Sequence, residues 1–233
     1  MKKIVIIVPM YDELDHELFD VKLEDKKSVG SFDVFTWTVG KHEVPIMMCG
    51  IGKTHAAMAA TVAHYEFKPD VIINMGSAAG IHEDVKTGDL ILAQTINYYD
   101  VDVRAFNYEM GQVPNMPARY EISATLLEWI KKVEAAQTRR WFKYGQVISG
   151  DTFLNDVAKL KAVQAHFPEA YALDMESAAI AHACHRLNMD YLILRSITDG
   201  GDDDALHHHE AGLDSTKKQL AKIVKALLGW LEA

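Results

Sequence analysis

The sequence predicts a three-layer α/β/α protein, with a central mixed, largely parallel twisted sheet flanked by helices. Three observations predict it. Short β-branched runs at 3–8, 71–74 and 191–197 have the pattern of strands buried on both faces. Segments of helical spacing alternate with them, as in layered α/β architectures. No Pro-, Gly- or Ser-rich linker interrupts the 233 residues, so 1–233 is expected to be one domain.

In chain order, the first strand runs to Pro9, and the acidic stretch 11–20 has helical spacing of Leu14, Leu18 and Phe19, which predicts a helix. Residues 32–39 and 43–49 read as strands split by a turn at Gly40-Lys41-His42. Gly50-Ile51-Gly52 then leads into an alanine-rich helix at 54–65. A strand at 71–74 closes on Gly76-Ser77-Ala78-Ala79-Gly80, and 90–93 gives another. The stretch 98–117 has no period and carries Phe106, Tyr108 and Pro114, which marks a functional loop. Further helices are expected at 122–135, 156–164, 176–187 and 213–231, and strands at 145–149 and 191–197. Ligands of such sheets collect beyond the carboxyl ends of the strands. The candidate ends are 9–13, 49–53, 75–80, 150–155 and 198–200.

Charge narrows the function. With 33 acidic against 24 basic residues and a formal net charge of -9, the chain is poorly suited to neutralising phosphates, so no nucleic-acid partner is expected and a small molecule fits better. Cys49 and Cys184 belong to no CxxC pair and read as buried thiols in a reducing compartment. The N-terminal apolar run stops at Asp12 with no small-residue cleavage site, and no stretch has the length of a membrane span. The expectation is a cytoplasmic protein without a membrane partner.

Two motifs point elsewhere and fail on spacing. Gly52-Lys53-Thr54 resembles the tail of a phosphate-binding loop, but the glycine required five positions earlier is Met47. The dinucleotide pattern fails because Gly50-Ile51-Gly52 meets His55 at its third glycine position. His207-His208-His209 suggests a metal site, yet successive helical residues point about 100° apart and cannot share one ion. These histidines read as a solvated loop or helix start, and neither metal nor cofactor is expected.

Carboxylates are the more informative residues. Glu13 follows the first strand; an acid there also suits a helix dipole. Asp199 follows the apolar strand 191–197, where burial can raise a carboxyl pKa as a general acid requires; it also reads as a turn residue beside Gly200-Gly201. Glu176 follows Asp174-Met175 at a helix start, and one ionised carboxylate can accept hydrogen bonds from two vicinal hydroxyls.

Taken together, five ordered motifs carry a family resemblance from Lys3 to about Asp199. They are Cys49-Gly50-Ile51-Gly52-Lys53, the run from Pro69 to Gly80, Ser149-Gly150-Asp151-Thr152-Phe153, Met175-Glu176, and Arg195-Ser196-Ile197-Thr198-Asp199. The chain resembles the 5′-methylthioadenosine/S-adenosylhomocysteine nucleosidases of the nucleoside phosphorylase superfamily. The resemblance implies hydrolysis of a purine thionucleoside, without cofactor, in methionine salvage. It assigns Asp199 to protonation of purine N7, Glu13 to the attacking water and Glu176 to the ribose hydroxyls. Met10 and Met175 would pack against the sugar, Phe153 would stack on adenine, and the backbone of Leu154 would read its edge. Ser77 would lie near the base or the acid. Ile51, Ala78, Gly80, Arg195 and Thr198 complete the implied substrate contacts. The family is homodimeric, which would place Val103, Phe106 and Pro114 in the partner subunit's pocket.

Hydrolase and phosphorylase separate on arginine. Phosphorylases hold phosphate with guanidinium forks drawn largely from the first half of the chain, and no arginine occurs here before Arg104. Water is therefore the expected nucleophile. Departures from the family pattern are Thr198 for a serine, Asp174 for a longer glutamate, and the stretch 200–209 where an apolar aromatic normally covers the 5′-alkylthio group. The last leaves two alternatives open, a more polar 5′ group or a lid closed by a histidine.

Overall fold

The computed structural model of the protein describes residues 2–138, 140–202 and 204–231, so Asp203 of the divergent stretch lies outside the described residues. In chain order the elements are β1 (Ile4–Val8), β2 (Lys27–Val29), β3 (Phe32–Val39), β4 (His42–Met48), α1 (Lys53–Phe67) and β5 (Val71–Gly80). There follow β6 (Leu90–Tyr98), β7 (Tyr120–Glu121), α2 (Ala124–Ala135), β8 (Lys143–Ser149), α3 (Val157–Gln164), β9 (Ala170–Asp174), α4 (Ser177–Arg186), β10 (Asp190–Asp199) and α5 (Ala205–Leu231).

The layers follow from side-chain alternation along β1. Ile4, Ile6 and Val8 join a cluster with Leu126 and Ile130 of α2 and Leu220 and Leu227 of α5. Val5 and Ile7 face the opposite side, among Ala56, Ala59, Ala60 and Ala63 of α1 and Ala178 and Ala181 of α4. A period of two thus sends successive residues to different layers. The alanine faces let α1 and α4 lie close to the sheet, while branched side chains fill the other layer.

The sheet is mixed. Parallel pairings run β4–β1–β5–β10 and β6–β8–β9. Antiparallel contacts of β10 with β6 and of β5 with β9 join the two groups, so that β5, β10, β6, β8 and β9 close a circuit. The carboxyl ends of β1, β5, β8, β9 and β10 meet at one rim. At β10 the register slips between Ile197 and Asp199, an irregularity that re-aims the last side chain.

Several elements differ from expectation. Residues 11–20 form no α-helix; a single 3-10 turn covers Tyr11–Glu13. The Asp15 carboxylate accepts the Leu18 N–H at 2.8 Å, a local bond that competes with helical pairing, while Leu14 and Phe19 still reach the core. Helix α5 starts at Ala205 rather than 213, because its packing against β10 outweighs the low helix propensity of Gly212. The strand β9, within Ala-Tyr-Ala-Leu-Asp, has a weak local signal and is held by β8 and β5. β5 and β6 run longer than their apolar cores, to Gly80 and Tyr98.

Candidate active site

Glu13 owes its position to the turn after β1. Its own N–H donates to Met10 O at 3.1 Å, and the Met10 N–H returns a bond to Glu13 Oε2 at 3.2 Å. The carboxylate thereby points beneath the sheet rim toward β5. There Ser77 donates twice to Oε1, from its N–H and its hydroxyl, each at 2.6 Å. Gly76 makes room, since a Cβ there would lie 3.2 Å from Oε1 and 3.3 Å from Oε2. Burial pushes the Glu13 pKa up, opposed by the Ser77 and Met10 hydrogen bonds and by the charge of Arg195.

Glu176 comes from the opposite side, immediately before α4. Its Oε1 accepts the Gly52 N–H at 2.9 Å, and Oε2 lies 3.9 Å from Arg195. Burial first, then the charge of Asp174, push Glu176 up to about 8, against the pull of Arg195 and Gly52. Beneath both carboxylates Arg195 is fully buried; its Nε binds Asp174 at 2.5 Å and its Nη2 binds Asn74 Oδ1 at 2.5 Å. Asp174 also accepts from the hydroxyls of Ser149 and Ser177. One guanidinium thus compensates a floor of acidic groups, a role that the spacing of the sequence does not reveal.

Asp199 closes the triangle. The slipped register ends β10 with its carboxylate at the cavity, where Oδ1 accepts the Gly201 N–H at 2.9 Å and Oδ2 accepts the Thr198 hydroxyl at 2.9 Å. The turn-residue reading therefore holds together with the cavity position. His209, on α5, places Nδ1 3.6 Å from Asp199 Oδ2, and this carboxylate raises the imidazole pKa against the opposing effect of burial.

Glu13, Glu176 and Asp199 line one cavity of about 430 Å³, a size suited to a drug-sized or nucleoside-sized ligand. Met10, Ile51, Ser77, Ala78, Phe153, Leu154 and Met175, the substrate contacts that the resemblance implies, line it too. Gly80, Arg195 and Thr198 do not. A Cβ at Gly80 would strike Ile197 and Val85 at 2.8 Å, so that residue serves strand packing. Arg195 and Thr198 act from behind the wall, through Asp174 and Asp199. Leu206 lines the cavity unpredicted, and His209 of the stretch 200–209 lines it as well, in keeping with the histidine alternative; their helix begins earlier than its sequence pattern suggests.

Val103, Phe106 and Pro114 lie outside this cavity, on the irregular stretch between β6 and β7. Phe106 is 75% exposed, a large apolar surface turned away from its own chain. Lys53, the residue of the failed phosphate loop, is taken up by Asp100 at 2.6 Å and Asp151 at 3.6 Å. The three histidines sit in the first turns of α5, with His207 and His208 exposed. Among the described residues no cluster of His, Cys, Asp and Glu could hold a metal ion, and no helix is long and apolar enough to cross a membrane.

The model of the phosphorylase superfamily matches residues 3–229. A 5′-methylthioadenosine/S-adenosylhomocysteine nucleosidase of Actinobacillus succinogenes is 38% identical over 232 residues, 99% of this chain and 100% of the relative. The chain belongs to this nucleosidase family of the phosphorylase superfamily. The family fold extends to solved structures. The nucleosidase of Neisseria meningitidis in complex with methylthio-immucillin-A superposes with a TM-score of 0.89 at 32% identity, covering 98% of this chain and 99% of the other. Futalosine hydrolase of Helicobacter pylori reaches 0.90 at 27% identity, covering 98% and 97%. The family's fold thus serves hydrolases named for different substrates.

Proposed function

We propose that the protein hydrolyses the N-glycosidic bond of 5′-methylthioadenosine and S-adenosylhomocysteine, releasing adenine with 5-methylthioribose or S-ribosylhomocysteine. The observation that carries this reading is the convergence of Glu13, Glu176 and Asp199 on one cavity. Asp199 gives its proton to N7 of the departing base, which leaves neutral. Positive charge then develops on the sugar ring and favours the ionised form of Glu176, so that Glu13 and Glu176 oppose it while Glu176 accepts bonds from the ribose hydroxyls. Glu13 orients water and takes its proton, and burial favours that role by making the carboxylate a stronger base. Phe153 stacks on the base, and Met10 and Met175 pack against the sugar.

Water is favoured over phosphate on electrostatic grounds. Arg195 is committed to Asp174, Lys53 to Asp100, and an ionised Glu13 repels a phosphate dianion. The exposed Phe106, with Val103 and Pro114, suits a homodimer in which this stretch completes the partner's pocket. A cytoplasmic place in methionine salvage agrees with the substrate and with two buried free thiols. In the test, replacing Asp199 by Asn should cut turnover of 5′-methylthioadenosine by at least about 10²-fold. An unchanged rate removes it from the mechanism.

A further inference from the structure

The histidine run is unexplained by the reaction, yet one member enters the site. Helix α5 packs against the end of β10 so closely that a Cβ on Gly212 would lie 3.2 Å from the Thr198 carbonyl oxygen and 3.3 Å from its Cα. Three residues earlier on this helix, His209 reaches the cavity, its ring 6.0 Å from that of Phe153. Its Nδ1 stands 3.0 Å from Thr198 Oγ1, and Thr198 Oγ1 stands 2.9 Å from Asp199 Oδ2. A hydroxyl can donate one proton and accept another, so the three groups can align as Nδ1–H to Oγ1–H to Oδ2. The Asp199 side chain is only 3% exposed, whereas the His209 side chain is 17% exposed. The chain of groups leads from solvent to a buried acid.

Each turnover in the proposed reaction leaves Asp199 ionised and Glu13 protonated. The acid must regain a proton before the next substrate reacts. We propose that His209 is a positioning residue that restores this proton through Thr198, an inference that rests on Asp199 being the acid of the reaction above. The step balances. The imidazolium N–H bond breaks as a new O–H bond forms on Thr198, and the original Thr198 O–H bond breaks as one forms on Asp199. Thr198 is unchanged, the imidazole becomes neutral, and it recovers its proton from solvent, to which Glu13 releases the one taken from water. The charged groups facing His209 are Asp199 from β10, Glu13 from the turn after β1, and Glu210 on its own helix, all acidic; together they favour the imidazolium against the opposing effect of burial.

The test is H209Q, which keeps a polar side chain but cannot relay a proton, with T198V as a second break in the chain. Stopped-flow measurement of adenine release from 5′-methylthioadenosine should show a burst of about one product per site in both variants. A steady state at least about tenfold slower than wild type should follow, with a stronger fall toward alkaline pH. Raising the concentration of imidazole buffer should speed that steady state in H209Q. Progress curves without a burst, a wild-type pH profile and indifference to buffer in both variants would overturn the relay. The D199N variant separates the relay from the acid assignment. If it turns over normally, the acid assignment fails; if it is inactive while H209Q behaves as wild type, only the relay fails. Circular dichroism of H209Q should match wild type, and if helix α5 is lost, T198V alone decides.

Discussion

Replacing Ser77 by Ala tests how the cavity tunes its base. The side chain contributes one of two bonds to Glu13 Oε1, the hydroxyl at 2.6 Å, while the backbone N–H, also at 2.6 Å, is untouched. Gly76 keeps the space that the carboxylate occupies, so the geometry should persist. A hydrogen bond to a charged group contributes about 1.5–3 kcal/mol, and 1.36 kcal/mol corresponds to one pH unit of titration. Losing the hydroxyl removes a bond that favours the ionised form, in a group whose pKa burial already raises. The acidic limb of the kcat/KM profile should therefore move upward by about 1 to 2 pH units. Activity at the acid end should fall by about 10- to 100-fold and return toward the wild-type value as pH rises past the new limb. Initial rates of adenine release between pH 5 and 9 give the profile. A limb that stays in place, or a loss equal at every pH, would refute the argument that Ser77 tunes Glu13.

Two further outcomes follow from the buried charges. Arg195→Met leaves Asp174 in the core without its partner, which should cost about 3–5 kcal/mol in denaturant unfolding; a loss below about 1 kcal/mol would contradict the compensating role. His209, whose pKa Asp199 raises above the ordinary 6.5, should stabilise the fold fully below that value, and the contribution should vanish as pH rises through the folded-state value. The difference in melting temperature between wild type and His209→Phe should accordingly shrink from pH 6 toward alkaline pH, and a constant difference would exclude the Asp199 contact as its cause.

What could be read from sequence divides by the range of the forces involved. β1 and the core of β10 are continuous apolar runs, and burial on both faces leaves few other readings. α1, α2 and α4 carry periodic or alanine-rich patterns that survive in the fold. The failures are non-local or cap-like: Asp15 capping Leu18 in place of a helix, β9 held by its neighbours, and α5 extended backwards by contact with Thr198. At the site, strand ends singled out Glu13 and Asp199 and a helix start singled out Glu176, and these three line one cavity. Composition and spacing could not reveal that Arg195 lies behind the wall, because the identity of its partners depends on three strands meeting. Leu206 was hidden for a related reason, since its helix starts where the pattern is least helical, and for the same reason the stretch 200–209 offered a histidine lid without saying which histidine.

The most direct measurement is the fate of solvent oxygen. Purified protein incubated with 5′-methylthioadenosine in phosphate-free, ¹⁸O-labelled water should release adenine at full rate, and mass spectrometry should find one ¹⁸O on the methylthioribose. Adenine release that waits for added phosphate, with a sugar phosphate as product, would contradict attack by water beside Glu13.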